Sequence, residues 1–166
     1  MGARMTLMQL LANRGGVPGG RPLVAYRLTK AEVEAIRAEL AAPCATFDSE
    51  WGALFCLFAA EHIRRTYEGG PWRWAPILEA IAFPVDRYAL LYRSIERGLR
   101  RLQRELIQGP HGDRQFWLTL LCECGLPGKV IERDEARLTR FLRALLSERE
   151  QYAHAPLDGA AQRLAR

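Results

Sequence analysis

The sequence predicts an all-α fold, a compact bundle of about six or seven helices around one central hydrophobic helix. Three observations carry that prediction. Apolar residues recur at helical spacing in nearly every segment between glycine and proline breaks. The run 51–63 is apolar all round a helical wheel, the pattern of a helix in the middle of a bundle. Only 23–28 alternates apolar and polar residues; it is too short for a sheet, so any extended segment is confined there.

Each element follows from local chemistry. A first helix spans 5–13, with Leu7, Leu10 and Leu11 at helical spacing, and stops at Gly15-Gly16. The Gly/Pro-rich stretch 15–22 reads as a loop; it follows a helix and contains prolines, so it is no phosphate-cradling nucleotide loop. Thr29 and Glu32 have the spacing of a capping box, in which each satisfies the other's free backbone donor. The helix they open turns Val33, Ile36 and Leu40 inward and ends before Pro43. Asp48 or Ser49 caps the central helix, which runs to about residue 68 with Trp51, Leu54, Phe55 and Phe58 in one stripe. Gly69-Gly70-Pro71 closes it, and a short helix covers 76–83. The most regular segment spans 87–108, followed by helices at 113–124 and 133–152. One domain covers 1–166: an N-terminal helix in 1–14, the loop 15–22, a bundle core at 29–155, and 156–166 starting a further helix or linker. The open end reads as the N-terminal piece of a longer protein.

Composition narrows the function classes. With 166 residues, 49% hydrophobic and 26% charged, the chain can bury a core without disulfide or metal staples. The most apolar run contains Glu61 and His62 and falls short of the roughly 18–20 residues of a membrane span. The N-terminus carries no signal-peptide cleavage pattern, so the expected location is cytoplasmic and no membrane partner is expected. Cys44, Cys56, Cys122 and Cys124 lack the paired hooks of structural zinc and read as buried thiols. His62 falls on the apolar stripe as a core histidine, while His111 and His154 sit in loops without a neighbouring base or nucleophile. Glu61 lies one turn before Arg65, a spacing that suits an ion pair. No catalytic residue, cofactor, metal or small-molecule substrate emerges, and the expectation is a non-enzymatic protein.

The main functional signal is a stripe of arginines. In the segment 86–108, Tyr88, Leu91, Tyr92, Ile95, Leu99, Leu102 and Leu106 take one side of the wheel; Arg93, Arg97, Arg100, Arg101 and Arg104 take the other. Six arginines against Asp86, Glu96 and Glu105 give this segment +3 of the net +5. Such a face suits phosphates or an acidic protein partner, and it equally suits a plain solvated helix surface. A second basic face, Arg133, Arg137 and Arg140, follows the turn 125–128. It allows a helix-turn-helix reading, with 129–131 stretching the turn. Trp72-Arg73-Trp74 is the landmark of the chain: tryptophans after a glycine-proline turn anchor it into the core, and interleaved with arginine they can also stack on unpaired bases.

Three stretches taken together resemble a known family: Gly20-Arg21-Pro22 through Leu28-Thr29, Leu54-Phe55 through Gly69-Gly70-Pro71-Trp72-Arg73-Trp74, and Cys124-Gly125-Leu126-Pro127 with the following Leu/Arg-rich helix. They are similar to the N-terminal region of large bacterial proteins of unknown molecular activity, associated with phage-defence islands of the Druantia type, where such a protein accompanies a large helicase. The resemblance implies a helical N-terminal module of a multi-domain protein and carries over no catalytic residues. The expectation is therefore a non-catalytic recognition or assembly module in a larger bacterial, antiviral system, with direct nucleic-acid binding as the alternative.

Overall fold

The computed structural model describes residues 7–12, 21–42, 46–68, 73–84, 87–109, 111–131, 139 and 143. Among them the chain is all-helical, with no strand: α1 (Leu7–Ala12), a 3-10 turn (Leu23–Tyr26), α2 (Lys30–Leu40), α3 (Ser49–Thr66), α4 (Ala75–Ala80), α5 (Tyr88–Arg101), α6 (Phe116–Glu123) and α7 (Gly128–Ile131). Outside this description lie Cys44, Trp72, Arg133, Arg137, Arg140 and, apart from the helical Thr139 and Arg143, the expected helix 133–152.

The central helix is α3. Asp48 caps it, its carboxylate accepting the backbone N–H groups of Glu50 and Trp51 at 2.9 Å each. Every residue from Trp51 to Glu61 is buried, as an all-round apolar helix requires. Glu50 accepts the Leu7 N–H at 3.0 Å and ties α1 to the start of α3. The Trp51 indole donates to the Leu40 carbonyl at 3.3 Å and ties down the end of α2. The capping box of α2 forms as expected: the Thr29 N–H donates to Glu32 at 2.7 Å and the Glu32 N–H to Thr29 Oγ1 at 3.2 Å.

Among the described helices, α3 packs most extensively on α5, and two glycines make that approach possible. A Cβ on Gly98 would stand 2.1 Å from the Gly52 carbonyl carbon; one on Gly52 would stand 1.8 Å from the Ser94 oxygen. The two backbones therefore touch, which only hydrogen in place of Cβ permits. Ser94 Oγ donates to the Phe47 carbonyl at 2.8 Å beside this crossing.

Four expectations are corrected. The segment 23–28 is not extended: Ala25 N–H bonds the Pro22 carbonyl at 2.9 Å, and Leu23 and Tyr26 turn into the core. The segment 87–108 is not one helix, because α5 stops at Arg101. There Gln103 takes φ 56, its N–H donates to the Arg100 carbonyl, and the Arg104 N–H donates to the Leu99 carbonyl at 2.8 Å. This is a Schellman closure made without glycine. The same device ends α4 at Ala80, with Ala82 at φ 50 and the Phe83 N–H on the Leu78 carbonyl. Finally, 129–131 does not stretch a turn, since it belongs to α7.

Candidate functional site

The closure of α5 divides the arginine stripe. Arg93, Arg97, Arg100 and Arg101 stay on the outer face and are exposed. Arg104 does not: the chain has turned, and its side chain is 8% exposed. Its Nε donates to Glu123 Oε1 at 2.7 Å, and its Nη2 donates to the same oxygen. The other Glu123 oxygen accepts the Leu23 N–H at 2.8 Å. One buried carboxylate thus joins the segment after α5, the end of α6 and the 3-10 turn. Arg104 is accordingly withdrawn from the surface stripe, because an unpaired charge at that depth would carry a large desolvation penalty.

The remaining four differ in what surrounds them. Arg100 bonds Glu96, four residues earlier, and Arg114 bonds the other Glu96 oxygen at 2.7 Å. The charge of Arg101 helps hold Asp48: burial pushes that carboxyl up, while the Trp51 N–H, the Thr46 hydroxyl, the Glu50 N–H and Arg101 pull it below its ordinary value. Among the described residues no carboxylate pairs with Arg93 or Arg97. These two lie one turn apart, about 6 Å along the axis, and form the least neutralised part of the face.

Arg93 also stands at the edge of an open cleft of about 620 Å³. Aromatic side chains from three elements line it: Trp74 at the start of α4, Tyr92 of α5, and Phe116 and Trp117 of α6. Tyr92 and Phe116 stack with centroids 4.7 Å apart. Trp74 meets Tyr92 and Trp117 edge-on at 6.3 and 6.0 Å, and Phe55 beneath at 6.3 Å. Trp74 therefore packs on the core ring of Phe55 and lines the cleft as well, while the Gly69-Gly70-Pro71 turn it was expected to anchor lies outside the described residues. The short loop before α6 is fixed by Gln115 N–H on the Ile107 carbonyl at 2.9 Å and Ile107 N–H on Thr119 Oγ1 at 3.0 Å. That loop presents Arg114 and Asp113 to the cleft that Arg93 also lines.

Sequence reasoning finds Arg93 and Arg97 and misses the cleft. Trp74, Tyr92 and the Phe116-Trp117 pair are too far apart in the chain for spacing to join them. The available signal was local: aromatics on the edge of an amphipathic face in 88–92, and two adjacent large rings opening α6.

Glu61, Cys56 and Cys124 lie in the helical core. Glu61 is buried, and its carboxylate accepts Arg64 Nε at 2.9 Å and Arg65 Nε. Burial raises its pKa, but both arginines outweigh that and hold it below the ordinary value. Arg65 Nη2 reaches the Leu28 carbonyl at 3.1 Å, so this cluster also ties α3 to the 3-10 turn region. Cys56 and Cys124 are buried thiols pushed well up by desolvation, and burial lowers His62. Among the described residues, no three His, Cys, Asp or Glu are grouped to hold a metal ion. No described helix is long and apolar enough to cross a membrane.

Comparison with known proteins places these features. A family model described as the YjiT N-terminal domain matches residues 2–126, which takes in α1 through α6 and the whole cleft. The protein YjiT of Escherichia coli (strain K12) is 28% identical over 140 residues, covering 81% of this chain and 27% of that relative. The chain thus spans little more than a quarter of the relative's length. No solved structure matches the chain.

Proposed function

The chain belongs to the YjiT N-terminal domain family, and from that premise we propose that it is a non-catalytic recognition module of a larger protein, engaging an anionic macromolecule through the outer face of α5. The observation that carries this reading is the exposed set Arg93, Arg97, Arg100 and Arg101, in which Arg93 and Arg97 have no carboxylate partner among the described residues. Guanidinium groups fork two donors onto carboxylate or phosphate oxygens, so an acidic protein surface and a nucleic acid share the chemistry this face offers. The engagement of Glu61 by two arginines and the buried thiols of Cys56 and Cys124 support the non-catalytic part.

The test is retention on polyanions, heparin, polyglutamate and oligonucleotides, at rising salt, for the native chain and for Arg93→Glu/Arg97→Glu. Binding that falls linearly in log affinity with log salt, and collapses in the double variant, supports the reading. Equal behaviour of the two proteins removes it.

The resemblance to proteins of Druantia-type defence islands supports reading the larger protein as part of a cytoplasmic antiviral system. Plaquing efficiency on cells carrying the whole gene, native or with Arg93→Glu/Arg97→Glu, tests that assignment. Unchanged protection in the variant would separate the basic face from defence.

A further inference from the structure

We propose that the outer face of α5 docks an acidic helix of a protein partner, whose carboxylates meet Arg93 and Arg97 while an apolar side chain covers Leu90. This rests on the reading of α5 as an anion-binding face and names the class of partner.

Leu90 is the first support. Leu91, Ile95 and Leu99 of the same helix are at most 1% exposed. Leu90 is 40% exposed and, with Leu126, one of two large hydrophobic side chains left in solvent among the described residues. It stands on the arginine side of the helix. Leu90, Arg93 and Arg97 occupy positions i, i+3 and i+7, one continuous line along α5. That is the spacing at which one helix reads another. A phosphate backbone has nothing apolar to lay on Leu90, whereas a protein helix carries apolar and acidic side chains on one face.

The supply of open cations is the second support. Arg100 bonds Glu96, and the charge of Arg101 acts on Asp48. Arg93 and Arg97, about 6 Å apart along the axis, meet no carboxylate among the described residues. Two guanidiniums at that interval match two carboxylates one turn apart on a neighbouring helix, each able to accept a forked pair of hydrogen bonds. Proteins that hold a nucleic acid by its backbone spread several cations along it, and two make a short track. The platform is also rigid. Backbone contact between Gly52 and Gly98 fixes α5 on α3, directly beside Arg97 in the chain. The backbone positions of the two arginines are therefore set before a partner arrives, which lowers the ordering cost of binding.

Titration of the isotope-labelled 166-residue chain, followed by its backbone amide NMR shifts, tests this. The probes are helical peptides of about twenty residues, long enough to hold a helix in water. Two carry a leucine and two glutamates in one line, at the spacing of Leu90, Arg93 and Arg97, one in each chain direction. Another has the same composition with these residues scattered around the helix. Further peptides replace the leucine by glutamine or the glutamates by lysines, and single-stranded and duplex oligonucleotides complete the set. The better patterned peptide should bind about tenfold tighter than the scattered one, with shifts centred on α5. Loss of its leucine should weaken it about fivefold. Leu90→Gln should weaken the patterned peptide alike and leave the scattered peptide and the oligonucleotides unchanged. Arg93→Glu/Arg97→Glu should lose the glutamate peptide and gain the lysine one, a charge swap that a misfolded protein could not show. Equal binding of patterned and scattered peptides, or tighter binding of an oligonucleotide, overturns the acidic helix and leaves the anionic face standing. Binding indifferent to both leucines does the same. No binding to any probe at low salt overturns both.

Discussion

Arg101 and Arg104 stand three residues apart in a segment whose apolar period continues past both, yet one is in solvent and the other is sealed against Glu123. The difference between them is a backbone event. Gln103 adopts a left-handed conformation, α5 closes, and the chain beyond it turns inward. Up to Arg101 a guanidinium lies on the surface; after it, the same group is a structural tie between the segment following α5, α6 and the 3-10 turn. A charge pattern on a wheel therefore defines a surface only as far as the helix lasts.

The largest expected effect separates the two sides of that turn. Arg104→Met should cost about 3–5 kcal/mol in urea unfolding, because Glu123 is left buried without its counter-charge. Arg97→Met should stay within about 0.5 kcal/mol, as an exposed change away from special features does. A comparable loss in both would erase the distinction. Next in size, Gly98→Ala should cost about 1–3 kcal/mol or more, because its Cβ would meet the Gly52 backbone and only separation of α3 from α5 can relieve it. An unchanged unfolding midpoint would show that the helices are not held in backbone contact. The smallest effect has the opposite sign. Gln103→Gly should stabilise by up to about 1 kcal/mol, since glycine adopts positive φ without the penalty a Cβ incurs. A loss of stability there would mean that the closure of α5 does not depend on that conformation.

Much of the fold is legible in the sequence because it follows from local rules. The capping box at Thr29 and Glu32 and the all-round apolar α3 are read from spacing alone and stand as read, and of the two caps left open, Asp48 and Ser49, the structure uses Asp48. The end of α5 was not legible, because helix stops are recognised by glycine or proline and this one uses Gln103. The turn at Leu23–Tyr26 was misread for a related reason. Its conformation is held by Glu123, one hundred residues away, and no local pattern encodes that partner. Gly52 and Gly98 each lie inside a helix, and their pairing appears only once α3 and α5 cross. For the candidate site, Arg93 and Arg97 were found from the wheel. The cleft was not, since Trp74, Tyr92, Phe116 and Trp117 meet only through tertiary packing.

Two double-mutant cycles on one protein weigh the inner pair against the outer one: Arg104–Glu123, buried, and Arg100–Glu96, with Arg100 in solvent. The account predicts a coupling of at least about 2 kcal/mol for the first and no more than about 0.5 kcal/mol for the second. Equal couplings would mean that the end of α5 does not sort its arginines into fold and surface, and the assignment of the outer face to a partner would lose its physical basis.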